Sequence, residues 1–194
     1  MSLYNYSQNP VLSLEEDMGL DDVIGAYYKD TNNVLDEFEG TWVYTDNATN
    51  TTFKIVLVKK TMVYSQGWNY YEDLMVGEYQ YSKNGLYLIN TLSDLPLNLG
   101  RNHNIKGNFI LDTCDYLPWG DCIEGEKRLY LGISDPVKPY TGKIILKKRI
   151  INGQEAVKAY VSFSYKGADR YQQGAIRPEP TITYQDEFIM FKQP

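Results

Sequence analysis

The most informative stretch of this sequence is Phe38-Glu39-Gly40-Thr41-Trp42-Val43-Tyr44. Its glycine allows the chain to bend tightly into a strand, and its tryptophan places a large apolar ring at the start of that strand. After this stretch, short runs with alternating polarity are separated by turn residues almost to the C-terminus. This pattern is typical of an all-β domain.

Two Asn-Gly dipeptides fix the pairing of neighbouring strands. Asn84-Gly85 and Asn152-Gly153 are the strongest short hairpin signals, because both residues tolerate the positive φ of a type I′ turn. The sequence therefore predicts an all-β fold of about 8–10 antiparallel strands, which form a barrel or a sandwich. The predicted strands are 40–45, 51–59, 70–81, 86–91, 105–111, 128–134, 142–151, 155–165 and 181–192.

Residues 1–32 form a separate N-terminal arm in this interpretation, and residues 33–194 form the barrel domain. The arm is expected to be irregular or short-helical, because Gly19 and Gly25 interrupt its only helical pattern. Residues 1–3 resemble a leader added for expression. The first twenty residues lack the apolar core of a signal peptide, and we expect that an export signal was removed.

Composition excludes several classes of function. The formal net charge is −6 and the longest basic block is Lys147-Lys148-Arg149, so the clustered positive surface of a nucleic-acid-binding protein is missing. The sequence contains no apolar run of the ~20 residues that a transmembrane helix needs. With His103 as the only histidine, we expect no metal site, no cofactor and no catalytic residues.

The two cysteines of the chain, Cys114 and Cys122, flank a short segment that contains proline and glycine. These residues turn the chain back on itself, so that a disulfide between the two cysteines is sterically easy. The alternative is two free thiols in a reducing compartment. A disulfide favours an exported protein, at the cell surface, in the periplasm or outside the cell.

Gly40 and Trp42, the turn at 33–38 before them and the hairpins after them resemble the lipocalin-like (calycin-type) barrels. More narrowly, the chain is similar to small secreted lipocalin-like proteins of bacteria over about residues 33–192. The resemblance implies that the Trp42 indole plugs the closed end of the barrel and that a late basic residue packs across it. The candidates for this basic residue are Arg149, Arg170 and Arg177.

The resemblance implies a non-enzymatic exported protein that binds a small apolar or amphipathic ligand at one end of the barrel. The predicted ligand-binding residues face the interior: Phe53, Tyr79, Phe163, Tyr184 and Phe188. Because so many of these residues are aromatic, we expect a partly filled interior and a small or shallow pocket.

Two alternatives stay open. One is a protein-interaction module with a filled barrel that acts through loops such as 112–124 and 166–180. The other is a hydrolase that uses barrel carboxylates, for which Glu78, Asp186 and Glu187 are the candidates.

Overall fold

The computed structural model describes residues 10–15, 23–114, 121–167, 174, 176–183 and 187–194. Three short 3₁₀ helices accompany the strands, at Leu35–Phe38, Leu92–Asp94 and Gly100–Asn102. The eleven strands of the described residues are β1 (Val11–Ser13), β2 (Tyr27–Lys29), β3 (Gly40–Asp46), β4 (Thr51–Ser65), β5 (Tyr70–Lys83), β6 (Leu86–Asn90), β7 (Ile105–Leu111), β8 (Arg128–Ser134), β9 (Tyr140–Ile151), β10 (Gln154–Tyr165) and β11 (Glu187–Gln193).

Eight of these strands close into an antiparallel barrel, which confirms the predicted fold class. The barrel strands are β3, β4, β5 and β7 to β11, and each pairs with the next one along the chain. β11 returns to β3 through Phe191 and Val43, and β5 pairs with β7 through Val76 and Lys106. The connectivity is therefore up-and-down, with the first barrel strand beside the last.

Three further strands lie against β5, outside the barrel circuit. β6 folds back on its C-terminal end, while β2 pairs in parallel with its N-terminal end and carries β1 on its far side. The described part of the N-terminal arm thus extends the sheet. Part of the helical pattern expected at 14–28 lies outside the described residues, and its last residues belong to β2.

The two Asn-Gly hairpins form as predicted. Asn84 and Gly85 have φ values of 53° and 77°, and Asn152 and Gly153 have values of 51° and 78°. β4 is six residues longer than predicted, because a bulge between Lys60 and Val63 resets its alternation and lets pairing with β5 continue. The last strand begins at Glu187, later than the predicted residue 181.

Apolar side chains fill the described interior of the barrel. They come from every second residue of the strands, as the alternation of a pleated sheet requires. Each of the following is at most 5 % exposed: Phe53, Ile55, Leu57, Met75, Tyr79, Tyr81, Ile105, Leu129, Leu131, Ile133, Ile144, Leu146, Val157, Ala159, Val161, Phe188 and Met190.

Trp42 closes one end of this interior and is fully buried. Its Nε1 donates a hydrogen bond to the carbonyl of Phe38, 2.8 Å away, which ties the ring to the preceding 3₁₀ helix. Gly40 enters the strand with φ of +120°, and a Cβ there would lie 3.3 Å from Cε of Lys192. Glycine thus allows both the bend and the close approach.

Two lysines, rather than the expected arginines, pack across the indole. Nζ of Lys148 lies 4.9 Å from the Trp42 ring centroid, and Nζ of Lys192 lies 5.4 Å from it. Glu155 accepts a hydrogen bond from Lys148 and forms an ion pair with Lys192.

The two described arginine candidates lie elsewhere. Arg149 pairs with Glu126 and Arg177 lies over Tyr165, while Arg170 is outside the described residues. Lys148 and Lys192 reach the ring because they belong to the inward-facing set of β9 and β11, as the register places Lys192 opposite Trp42 and Lys148 opposite Val157.

Replacing the plug should destabilise the barrel strongly. We expect Trp42→Ala to lower the free energy of unfolding by about 3–5 kcal/mol, because it leaves a large cavity under the two lysines. Urea denaturation followed by circular dichroism measures the change. The matched control is Trp68→Ala, since Trp68 is 57 % exposed and its loss should cost less than about 1 kcal/mol. A similar loss in both variants would contradict a plugging role for Trp42.

The structure contains the predicted Cys114–Cys122 disulfide, with 5.7 Å between the two Cα atoms. It closes the connection from β7 to β8. In the chain-entropy model, a loop of this length contributes about 2.5 kcal/mol by restricting the unfolded chain.

Intact mass spectrometry tests the disulfide directly. Alkylation of the denatured, unreduced protein should add no label, and alkylation after reduction should add two. The variant with both cysteines changed to serine should unfold about 2–3 kcal/mol more easily. Two labels on the unreduced protein would contradict the bridge.

Candidate functional site

Three of the five predicted ligand-binding residues contact one another inside the barrel. The Phe53 ring centroid lies 5.7 Å from that of Tyr79 and 5.9 Å from that of Phe188. The Tyr79 hydroxyl donates to the carbonyl of Ser134, 2.7 Å away. The space between these three side chains is thus occupied by their own rings. Phe163 is only partly buried against the core, and Tyr184 lies outside the described residues.

A groove with a volume of about 840 Å³ lies on the outside of the barrel instead. One wall is the segment 59–68, which ends β4 and turns toward β5. The other wall is the segment 97–103, which leads into β7. We call this feature the lateral groove. It lies beside the end of the barrel that Trp42 closes, since β3 begins opposite Leu57.

The first wall includes an unpaired strand edge. Pairing between β3 and β4 ends at Gly40 and Leu57, whereas pairing between β4 and β5 continues to Ser65 and Tyr70. In the described pairings, β4 beyond Leu57 therefore has a neighbour on one side only. Side chains alternate along a strand, and all seven consecutive β4 residues at 59–65 line the groove, so the main chain itself borders it.

Large apolar side chains stand at the mouth of the lateral groove. Met62, Tyr64, Trp68 and Leu97 line it and are all exposed, Trp68 to 57 % and Leu97 to 49 %. The Tyr64 hydroxyl donates to Asn69 Oδ1, 3.1 Å away, which orients that ring. Clustered exposed aromatics are a common property of binding surfaces, because they contribute large contact areas at low entropic cost.

An ion pair holds the second wall against the barrel. Arg101 Nε donates to Glu72 Oε1 at 2.6 Å, and Arg101 Nη2 donates to the other carboxylate oxygen. Asn108 Nδ2 adds a hydrogen bond to Glu72 at 2.8 Å. The Glu72 side chain is 1 % exposed and that of Arg101 is 40 % exposed. The pair therefore joins a buried carboxylate of β5 to the groove surface.

A second polar contact attaches the same loop to β5 at His103. His103 Nδ1 lies 2.9 Å from Glu78 Oε1, and Asn104 Nδ2 donates to Glu78 Oε2 at 2.8 Å. Glu78 and His103 are both buried. The hydrolase alternative expected the Glu78 side chain to point into the barrel, but it does not. It lies on the outer face of β5 under the loop, because Gly77 and Tyr79 on either side of it belong to the inner face.

Sequence reasoning missed this clasp, formed by Glu72–Arg101 and Glu78–His103. A signal was present, since one face of β5 carries two apolar residues between two carboxylates. Glu72, Leu74, Val76 and Glu78 share the outer face. The pattern did not indicate that a distant loop covers that face.

Lys59 ties the first wall to the closed end of the barrel. Its Nζ lies 2.9 Å from Asp30 Oδ2 and 2.6 Å from Asp36 Oδ1. Burial lowers the pKa of Lys59, but the hydrogen bonds to Asp30 and Asp36 outweigh it and raise the pKa above its ordinary value. This lysine is therefore a charged structural link.

Another group of cations lies on the outer face of β8, β9 and β10. The register places Arg128, Lys147 and Lys158 side by side. Asp121, next to the disulfide, accepts from Lys147 at 2.8 Å and from Lys158 at 3.1 Å. Hydrogen bonds from Lys147 and Lys158 lower the pKa of Asp121 to about 2. Arg128 donates to the carbonyls of Thr113 and Ile123. These cations anchor the β7–β8 connection.

The comparisons with known proteins define the family. A family model described as a family of unknown function (DUF6705) matches residues 1–193. The chain belongs to this family. No curated protein and no solved structure matches the chain significantly. In the described part of this DUF6705 member, no group of three or more His, Cys, Asp or Glu residues could hold a metal ion, and no helix has the length and apolarity to cross a membrane.

Breaking the clasp should destabilise this DUF6705 protein. We expect Arg101→Gln to cost about 2–3 kcal/mol of unfolding free energy, because it leaves the buried Glu72 carboxylate without its cation. Urea denaturation measures the cost. The matched control is Arg149→Gln, which breaks the pair with Glu126 and should cost less than about 1 kcal/mol, because the Glu126 side chain is 21 % exposed and can be hydrated. Equal costs would mean that the clasp contributes no more than a surface ion pair.

Proposed function

We propose that this protein is a non-enzymatic binding protein and that its amphipathic ligand occupies the lateral groove. The observation that carries the proposal is the difference between the barrel interior and the lateral groove. The described barrel interior is filled by packed side chains, whereas the lateral groove offers about 840 Å³ beside exposed Met62, Tyr64, Trp68 and Leu97. That volume lies within the ~300–1,000 Å³ of typical ligand sites.

Further support comes from how the groove is held. The clasp fixes the segment 97–103 on β5, and Lys59 fixes the segment 59–68 on the closed end of the barrel. Both walls are thus attached before any ligand arrives, which lowers the entropic cost of binding. A preformed groove with an apolar mouth suits a ligand with a substantial apolar part.

Export and a relationship to the lipocalin-like barrels belong to the same proposal. The disulfide supports export, because such bonds persist in oxidising compartments. The up-and-down order of the eight strands, the Gly40–Trp42 entry and the lysines over the indole support the relationship. Ligand binding outside the barrel would then distinguish this protein from barrels that hold the ligand inside.

A neutral fluorescent probe tests the proposed function. N-phenyl-1-naphthylamine should bind saturably, with a change in Trp68 emission. We expect Leu97→Asp to weaken its binding at least about fivefold, since the variant removes apolar contact area and adds a charge at the mouth. Leu86→Asp is the matched control, because Leu86 is exposed on β6 and does not line the groove. Absent binding, or equal weakening in both variants, would contradict the proposal.

The unpaired edge of β4 favours a second candidate function, protein interaction by strand addition. An extended segment of a partner could pair with the main chain at 60–65, while Tyr64 and Trp68 provide side-chain contacts. Thr61→Pro separates the two functions, because proline at an edge blocks strand pairing but leaves the apolar mouth intact. Probe binding that survives Thr61→Pro supports the small-ligand function.

A further inference from the structure

The cations of the lateral groove differ in whether a carboxylate already neutralises them. Lys59 and Arg101 line the groove, but Lys59 is bound by Asp30 and Asp36, and Arg101 is bound by Glu72. Lys60 also lines the groove and is half-buried. In the part of the chain that the structure describes, Lys60 forms no ion pair with a carboxylate.

The described lining of the groove is also free of negative side chains. None of the lining residues at 59–68 and 97–103 is Asp or Glu, although the chain as a whole carries a formal charge of −6. Carboxylates from outside the lining do contact the first wall. Asp30 and Asp36 bind the Lys59 ammonium group, while Glu39 and Asp73 accept hydrogen bonds from the main-chain N–H groups of Lys59 and Met62. None of these carboxylates pairs with Lys60 in the described part of the chain, so the ammonium group of Lys60 is available to a ligand.

Lys60 lies between the apolar mouth and the barrel. It is the last residue before the β4 bulge, and the register places it opposite Leu74, while Met62 and Tyr64 follow it toward the mouth. A cation at one end of an apolar surface matches a ligand with a charged head and an apolar tail. Partial burial increases the strength of such a pair compared with one in bulk water.

We propose that the lateral groove selects amphipathic anions, with Lys60 binding the negative head group and the exposed apolar residues contacting the tail. The inference rests on the proposed function and adds the charge of the ligand to it. The ligand is a free single-chain amphiphile with one negative charge. A membrane surface is a different partner, which the net charge of −6 would repel from anionic lipid.

A series of amphiphiles that differ only in the head group tests this inference. Dodecanoate, dodecanol and dodecylammonium, each below its micelle concentration, are titrated by displacement of N-phenyl-1-naphthylamine. Dodecanoate should bind roughly tenfold more tightly than dodecanol, and dodecylammonium should bind most weakly. The preference for dodecanoate should shrink as salt is raised, because the pair is only partly buried.

Variants of Lys60 test whether this residue causes the preference for dodecanoate. Lys60→Gln should reduce dodecanoate binding roughly tenfold and leave dodecanol binding unchanged, whereas Lys60→Arg should retain the preference. Lys166→Gln is the matched control, since it removes the same charge from an exposed position outside the lateral groove. Circular dichroism verifies that each variant is folded.

The outcomes separate this inference from the proposed function. If the three amphiphiles bind equally, the anion preference is overturned while the groove remains a binding site. If Lys60→Gln leaves dodecanoate binding unchanged, the assignment of the head group to Lys60 is overturned. If neither the probe nor any amphiphile binds, both proposals fail. Binding to phosphatidylglycerol vesicles without binding to monomeric dodecanoate would overturn the inference in favour of a membrane surface.

Discussion

Burial of strand β5 on both of its faces is the constraint on which the rest of this structure depends. Its inner face contributes Met75, Tyr79 and Tyr81 to the barrel interior. Its outer face carries Glu72, Leu74, Val76 and Glu78, all at most 1 % exposed. A strand in the wall of a barrel normally leaves its outer face to water. Here two carboxylates are buried there, and each must find hydrogen-bond partners or destabilise the fold.

The segment 97–104 provides those partners and becomes a wall of the groove in doing so. Arg101 reaches Glu72, and His103 with Asn104 reaches Glu78. The same interactions therefore give the buried carboxylates hydrogen-bond partners, cover the apolar outer face of β5 and fix the loop beside the end of β4. The lateral groove exists because the loop is held at one place by these contacts and β4 extends past its partner β3.

Filling of the barrel interior is the reason why we propose a binding surface outside it. Phe53, Tyr79, Tyr81 and Phe188 form a contiguous set of rings, with Phe53 in contact with each of the others. Such packing stabilises the barrel through buried area and dispersion contacts, but it occupies the volume that a ligand would need. Exposed apolar side chains lie instead at the end of the β4–β5 hairpin and on the loop that crosses β5, where we propose that the ligand binds.

The sequence by itself determined the all-β class, most strand positions, the two Asn-Gly hairpins and the disulfide. These features depend on local rules: alternation of side chains, positive φ at Asn and Gly, and the short distance between Cys114 and Cys122 along the chain. Only the tertiary structure decided that Lys148 and Lys192 cover the indole, that β4 continues beyond its bulge, and that the loop at 97–104 clasps Glu72 and Glu78. These contacts join residues far apart in the chain, and strand register and loop placement select them from many partners of the same chemical type.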